Sequence, residues 1–407
     1  MQIALLHYSA PPIVGGVESV LAHQARLMAE AGHAVRIVAG RGAQTDDRIP
    51  FVSLPLADSR HITLAPLKAE LDAGRVPPNF ERVVDELEQQ LFTALRDVEV
   101  VIAHNVCSLN KNLALTAALH RMAQKQGAAR FILWHHDLAW TTPRYRSELH
   151  AGYPWNLLST AWLGAQQVVI SELRRQELAA LMNLAPETIK VAPNGVDVAR
   201  FFKLEPFTQT LVNKLQLLEA APILLLPVRI TTRKNIELAL RVLAEMRRAA
   251  FASAKLVITG PLGPHNPANA HYFERLRNLR TELGLESAVH FLAEWQEGYL
   301  PDEVIADFYR LADAIFLPSR EEGFGLPVLE AAFSRLPVFC TDIAPLRALG
   351  GERATYFAPE AEPRVVAAQV TDRLKTDLSF QAAVQARQTF TWERVYTEHI
   401  APLLTRN

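Results

Sequence analysis

Short apolar runs recur from one end of the chain to the other, separated by amphipathic stretches, and this alternation restricts the fold more than any other feature. QIALLH (2–7) is strand-sized. The loop YSAPPIVGG follows, and then Val17, Val20, Leu21, Ala25 and Met28 recur at helical spacing up to Gly32, a helix stop. AVRIVAG (34–40), VEVVIAH (98–104), RFILWHH (130–136) and AQQVVIS (165–171) are further strands. The pattern then restarts with PILLLPV (222–228), KLVITG (255–260), AVHFLAE (288–294), DAIFLPS (313–319) and PVFCTD (337–342). NIELALRVLAEMRRA and HYFERLRNLRTELG are helices between them, the charges of the second marking a solvated face. A β-α-β-α order predicts a parallel sheet with helices on both faces. The prediction is therefore an α/β chain of two Rossmann-like, doubly wound domains. Asn194-Gly195 is a turn signal where the halves meet. It divides the chain into 1–197 and 198–380, followed by a helical tail, 381–407. Residues 42–80 show no clear period and read as an irregular surface segment.

A length of 407 residues suits two domains of about 150–200 residues each. With 49% hydrophobic and 21% charged residues there is apolar mass for two cores. A formal net charge of −1 argues against a dedicated nucleic-acid binder, which carries a strongly basic domain. Cys107 and Cys340 are too few and too far apart for a disulfide framework or a zinc site, and they read as small buried residues of a reducing compartment. The N-terminal MQIALLHYSAPP lacks the basic flank of a signal peptide, and the longest apolar run, ILLLPV, is far short of a membrane span. A soluble cytoplasmic protein is expected.

Open α/β sheets bind ligands beyond the carboxyl ends of their strands, so the candidate residues are those just after each strand. REEGFGLPVLEA (320–331) follows one of them. Pro327 suits the first turn of a helix. That puts Gly325 and Leu326 at the helix start, Glu330 one turn in and Glu322 in the loop before it. Free amides at a helix start attract phosphate or a polar oxygen, and two carboxylates can hold neutral hydroxyls from two sides. A solvated Glu322 and a capping Glu330 would show the same spacing. VRITTRKN (228–235) is a cationic strand-to-helix loop. Charge-assisted hydrogen bonds contribute about 1.5–3 kcal/mol each, against about 0.3–1 kcal/mol from a helix terminus, so on a diphosphate its cations would outweigh the dipole. A solvated basic loop is the plainer alternative. APPIVGGVE (10–18) places Gly15-Gly16 at a helix start; it is not GxGxxG, so a dinucleotide fingerprint is not supported. LWHHDLAW (133–140) ends a strand with His135 and His136, and His104 ends the strand before it. Trp140, Tyr145, Tyr153 and Trp155 line an acceptor pocket or form an ordinary apolar cover. No D-x-D pair and no His/Cys/Asp cluster of ligand spacing is found, and no metal is expected.

From Glu322 to Glu330, EGFGLPVLE resembles the E-x7-E signature of retaining glycosyltransferases with the GT-B fold, family 4 of the glycosyltransferases. The resemblance implies two domains facing across a cleft, acceptor on the first and donor on the second. It gives Glu322 to the donor sugar, Glu330 to the nucleotide ribose, and the amides of Phe324, Gly325 and Leu326 to the sugar hydroxyls and diphosphate. Arg229 and Lys234 stand where that family holds the diphosphate. A glycine usually follows the lysine there; here it is Asn235, and Arg233 is an additional cation. Gly15 and Gly16 resemble the family's GG loop toward the donor phosphates. His136, with His135 as the alternative, resembles its strand-end histidine near the reaction centre, and His104 and Asp137 fall on the acceptor side. PNGVD (193–197) and TWERV match as well, and the last helix, from Trp392, is expected to cross back onto the first domain. The implied activity is retaining transfer of a hexose from a nucleotide-diphosphate sugar, of UDP-glucose or GDP-mannose type, to an acceptor hydroxyl. The acceptor would be a small molecule, a glycan or a lipid. The donor is a substrate, so no cofactor is implied, and neither nucleic acid nor a membrane span enters. A nucleotide-sugar 2-epimerase and a non-catalytic sugar-nucleotide binding protein share the architecture.

Overall fold

The structure is a computed structural model that describes residues 1–125, 127, 129–262, 268–296 and 298–405. It consists of two compact units, Met1–Gly195 with Trp392–Asn407, and Val196–Thr391.

The first unit is built on seven strands: β1 (Gln2–Ser9), β2 (Ala34–Arg41), β3 (Phe51–Ser53), β4 (Val100–His104), β5 (Arg130–His135), β6 (Gln166–Val169) and β7 (Lys190–Val191). They lie in the order β3-β2-β1-β4-β5-β6-β7, and every neighbouring pair is parallel. Side chains alternate strictly between two cores. Ala4, Leu6, Val101, Ala103, Phe131 and Leu133 enter one, and Ile3, Leu5, Val100, Ile102, Ile132 and Trp134 enter the other. Because both faces are covered, the strands read as continuous apolar runs rather than as polar-apolar alternation.

The second unit repeats the plan with β8 (Ile223–Leu226), β9 (Lys255–Ile258), β10 (Val289–Phe291), β11 (Ala314–Leu317), β12 (Val338–Thr341) and β13 (Thr355–Phe357). Their order is β10-β9-β8-β11-β12-β13, again all parallel. In each sheet the order reverses once, between β1 and β4 and between β8 and β11. At such a reversal the flanking loops diverge and leave a crevice beyond the strand ends.

Several expectations change. The strands β3, β7 and β13 are too short (FVS, KV, TYF) for a period to show in sequence. Residues 42–80 are not irregular cover: they contain β3 and a helix, Ala65–Asp72, and bury Leu54, Leu56, Leu64, Leu67 and Leu71 in the first unit's core. The tail expected over 381–407 is split between the units. Helix Leu378–Phe390 packs in the second, where Phe380 meets Phe251 edge-on and Arg387 clasps Asp313 at 2.6 and 2.8 Å. From Trp392 the chain belongs to the first unit. There Trp392 is buried and stacks on His23, His399 donates from Nδ1 to the Val191 carbonyl (3.0 Å), and Arg130 holds the Leu404 carbonyl (3.0 Å). Gly195 has no room for a side chain, since a Cβ there would lie 2.6 Å from the Trp392 ring. Just beyond, Val196 donates to the Phe390 carbonyl at 2.7 Å, so the two passages of chain between the units run side by side. Among the described residues no helix is long and apolar enough to cross a membrane.

Candidate active site

The loops at the reversal between β8 and β11 carry the charged residues singled out in the second unit. After β8 the chain turns through Arg229 and a short 3-10 turn, Thr232–Lys234, before helix Ile236–Ala249. After β11 it runs through Ser319 and Glu322 into helix Leu326–Phe333. The two loops are tied together: Arg320 N–H donates to the Arg233 carbonyl at 2.8 Å. Lys234 Nζ donates to Glu322 Oε1 at 2.6 Å, and Ser319 Oγ donates to the same oxygen at 2.7 Å. Both charged side chains are 9% exposed.

Local chemistry explains why the turn forms. Asn235 occupies the left-handed region (φ 51°) at the point where the resembling family has glycine. Asparagine tolerates that region better than other residues with a Cβ. Its amide also donates to the Pro359 carbonyl at 3.0 Å, anchoring the turn. Arg229 is held through its backbone: Ile230 N–H donates to the Pro261 carbonyl (3.0 Å), and Gly260 lets the strand-end loops touch, since a Cβ there would be 1.9 Å from the Val228 carbonyl oxygen. Its guanidinium lies over the Tyr299 ring, 5.4 Å from the centroid. Arg229 and Arg233 are both exposed.

Gly325 caps the helix at φ 98°, a conformation that excludes other residues, and a Cβ there would also press on Leu346 at 2.7 Å. Pro327 has no N–H and the Val328 amide donates to the Gly325 carbonyl at 3.0 Å, so it is the Leu326 amide that lacks an intrahelical acceptor. Phe324 and Leu326 stay largely exposed beside it. Glu330 accepts a hydrogen bond from the Tyr309 hydroxyl, and burial together with that carboxylate raises the tyrosine pKa well above its ordinary value. The pair Lys234 and Glu322 is thus in direct contact; Glu330 is occupied by Tyr309 instead.

In the first unit, the strand-end histidines form a buried chain. His104 Nδ1 and His136 Nε2 are 3.1 Å apart, and His7 Nδ1 donates to the His104 carbonyl at 2.8 Å. His135 points the other way, to Gln167 Oε1 at 2.8 Å. Burial is the first cause of every shift: it lowers the His135 pKa to about 4 and, with repulsion from His7 and His135, that of His136 to about 3. His104 is pushed well below its ordinary value by burial and by His136 and His7. All are neutral at neutral pH. His104 has no exposed surface, so the expectation that it faces an acceptor is corrected: it braces His136, which keeps 6% exposure. Asn105, in the left-handed region, orients the next turn by accepting from the His136 and Asp137 amides at 2.8 and 3.2 Å. Asp137 lies 3.8 Å from Arg174.

Gly15 is extended, and Gly16 opens helix Gly16–Glu30. Beyond its chain neighbours and its own helix backbone, nothing lies within 4 Å of where a Gly16 Cβ would stand, so packing does not demand the glycine. Glu18 folds back over Gly15 and accepts from Ser9 Oγ at 2.6 Å. The helix's positive end is thus already shared with a carboxylate.

Ser319, Asn105 and Tyr309 were not singled out from the sequence. Asn105 left a trace, an asparagine directly after a strand end. Tyr309 left none, since it stands 21 residues from Glu330 on another helix. Among the described residues no three His, Cys, Asp or Glu side chains group as metal ligands.

Residues 208–387 match the family model described as glycosyl transferases group 1, and residues 14–200 match that of Glycosyltransferase Family 4. The mannosylglucosylglycerate synthase of Petrotoga mobilis is 26% identical over 85% of this chain and 85% of its own. A D-inositol 3-phosphate glycosyltransferase of Catenulispora acidiphila is 25% identical over 95% and 90%. An MMP alpha-(1->4)-mannosyltransferase of Mycolicibacterium hassiacum is 25% identical over 98% and 97%. A glycosyltransferase structure from Rickettsia africae aligns over 98% of this chain and 96% of its own, at 16% identity and a TM-score of 0.37. The two models fall one on each unit, and the chain belongs to the family 4 glycosyltransferases.

Proposed function

We propose that the protein is a retaining hexosyltransferase that moves a hexose from a nucleotide-diphosphate sugar, of UDP-glucose or GDP-mannose type, to an acceptor hydroxyl. The observation that carries the reading is the Lys234–Glu322 contact beside the first turn of helix Leu326–Phe333. A cation for a diphosphate, a carboxylate for sugar hydroxyls and the free Leu326 amide meet there on neighbouring loops. Both bonds to Glu322 use Oε1, which leaves Oε2 for the sugar.

In this reading Arg229 and Lys234 neutralise the diphosphate, Glu330 takes the ribose diol through Oε1 while Tyr309 holds Oε2, and the amides of Phe324, Gly325 and Leu326 approach the sugar and phosphates. Gly15 and Gly16 face the donor phosphates, with the Glu18 carboxylate that now covers Gly15 moving aside for them. His136, neutral and braced by His104, donates to a sugar hydroxyl without bringing a fixed charge. Asp137 serves the acceptor side. The acceptor oxygen attacks the anomeric carbon on the face from which the diphosphate leaves. The bond between that carbon and the phosphate oxygen breaks with its electron pair on the phosphate, which takes the acceptor's proton. Charge grows on the diphosphate as this happens, and preorganised cations are most effective against developing charge. They stand where other enzymes use a metal ion, so the reaction is proposed to need neither metal nor cofactor. Its compartment is the cytoplasm, in keeping with two buried free thiols.

Incubation with UDP-glucose or GDP-mannose and a pool of acceptors, followed by NMR of the product's anomeric centre, tests the reading. Transfer with the donor's own anomeric configuration is the expected result. An inverted product would sink the retaining mechanism, and a C2 epimer formed without acceptor would make the protein an epimerase.

A further inference from the structure

Beyond the ends of β1 to β4 the first unit holds a pocket of about 260 Å³. Its walls include the side chains of His7, Ser9, Glu18, Arg41, Arg60 and Lys111. Nothing in the roles above uses the three cations. Arg41 ends β2 and pairs with Asp58 at 2.6 Å. Arg60 and Lys111 are exposed, and neither has an acidic side-chain partner among the described residues. Glu18, the carboxylate in the wall, is engaged by Ser9. With Arg41 paired to Asp58, Arg60 and Lys111 stand against the single carboxylate of Glu18, and the pocket keeps an excess of positive charge.

The wall is built rather than incidental. Gly40 lets the loop after β3 lie directly on β2, because a Cβ at that position would be 2.0 Å from the Asp58 backbone nitrogen. Asp58 in turn accepts from the Arg60 amide at 2.9 Å, which sets the turn that presents Arg60. His7 donates from Nδ1 to the His104 carbonyl, so its tautomer is set and Nε2 is left as an acceptor. Cations on one part of the wall and neutral or anionic acceptors, His7 Nε2 and the Glu18 carboxylate, on another make a site for a molecule with an anionic group and several hydroxyls.

We propose that this pocket is the acceptor site and that the acceptor is an anionic polyol or sugar, carrying a phosphomonoester or a carboxylate that Arg60 and Lys111 hold. The inference rests on the glycosyltransferase reading and narrows its acceptor class. Glu18 and His7 would accept hydrogen bonds from the hydroxyls, and an uncharged sugar would forgo the charge-assisted bonds that the two cations offer.

The test uses the full-length protein and three matched hexoses without nucleotide: glucose 6-phosphate, glucuronate and glucose, titrated by calorimetry or NMR. The phosphate or the carboxylate form should bind about tenfold or more tightly than glucose, and which one does so tells the two anions apart. Arg60→Ala with Lys111→Ala should remove that preference; both positions are exposed, so the fold is not at stake. UDP and GDP form a separate arm, in which affinity should survive the double change but fall in Lys234→Ala. Equal binding of all three hexoses, or an anion preference that outlasts the double change, overturns the proposal. So does loss of nucleotide affinity in the double variant, which would give the pocket to the donor phosphates. Absence of nucleotide binding by the unaltered protein would instead strike the glycosyltransferase reading, while the hexose comparison still decides the anion preference.

Discussion

Lys234 Nζ lies 2.6 Å from Glu322 Oε1, with both side chains nine-tenths buried. Removing one partner of such a pair strands the other charge, a loss of about 3–5 kcal/mol, whereas replacing both by neutral groups of similar size is far milder. Loss of catalysis and loss of stability therefore separate. Lys234→Ala should lower kcat by about 10²–10³ and also lower Tm. Lys234→Met combined with Glu322→Gln should recover most of the Tm and none of the activity. Near-normal turnover by the double variant, in a steady-state assay of nucleotide release, would show that the pair only holds two loops together.

Asn235 makes a prediction about a residue that departs from its family. Its φ of 51° disfavours a side chain by about 1–2 kcal/mol, and its amide bond to the Pro359 carbonyl returns about 1 kcal/mol. Asn235→Gly should remain within about 1 kcal/mol of the parent, since backbone relief offsets the lost bond. Asn235→Ala keeps the strain and loses the bond, and should cost about 1 kcal/mol. Urea unfolding of the two variants measures the order; an alanine variant as stable as the glycine one would refute the account.

What could be read in advance follows from how far apart in sequence the cooperating residues lie. Strands buried on both faces announce themselves as apolar runs, so β1, β2, β4, β5, β6 and β8 to β12 were legible, while FVS, KV and TYF carried too few residues to register. The loop residues Arg229, Lys234, Glu322 and Glu330 were legible because each follows a strand and the segment from 322 to 330 resembles a known signature. Their pairing was not. Sequence allowed Glu322 and Glu330 as partners around one ligand, whereas the fold gives Glu322 to Lys234 and Glu330 to Tyr309. Such choices depend on which helix faces which loop, a matter of tertiary packing that no local pattern encodes. His104 was misjudged for the same reason: its place at a strand end suggested access, and the surrounding rings deny it.

Gly260 supports the site from outside it. A Cβ there would stand 1.9 Å from the Val228 carbonyl oxygen and 2.6 Å from the Arg229 nitrogen, and both are backbone atoms that cannot rotate away. Gly260→Ala should destabilise the second unit by about 1–3 kcal/mol. It should also shift the strand-end loop bearing Arg229 and so weaken binding of UDP or GDP. A variant with reduced Tm and unchanged nucleotide affinity would separate the loop's packing from any part in holding the donor.

The buried histidines predict acid sensitivity well above the range where carboxylates titrate. His135 and His136 have pKa values lowered to about 4 and about 3 by burial, against about 6.5 in an unfolded chain. Between these limits the unfolded state binds more protons than the folded one, so stability rises with pH through the window. It is fully present above about pH 6.5 and drains away as the pH falls toward the folded values. By about pH 5 each histidine held neutral costs the fold about 2 kcal/mol. Unfolding free energies measured by urea from about pH 7 down to about pH 5 should fall steeply. His135→Gln, which can still meet Gln167, should be less stable than the parent at neutral pH yet flatter across the window, because one proton-binding group of the unfolded chain is gone. A parallel slope in the parent and the variant would mean that His135 is protonated in the folded protein, and that the enclosure of this strand end does not exclude charge.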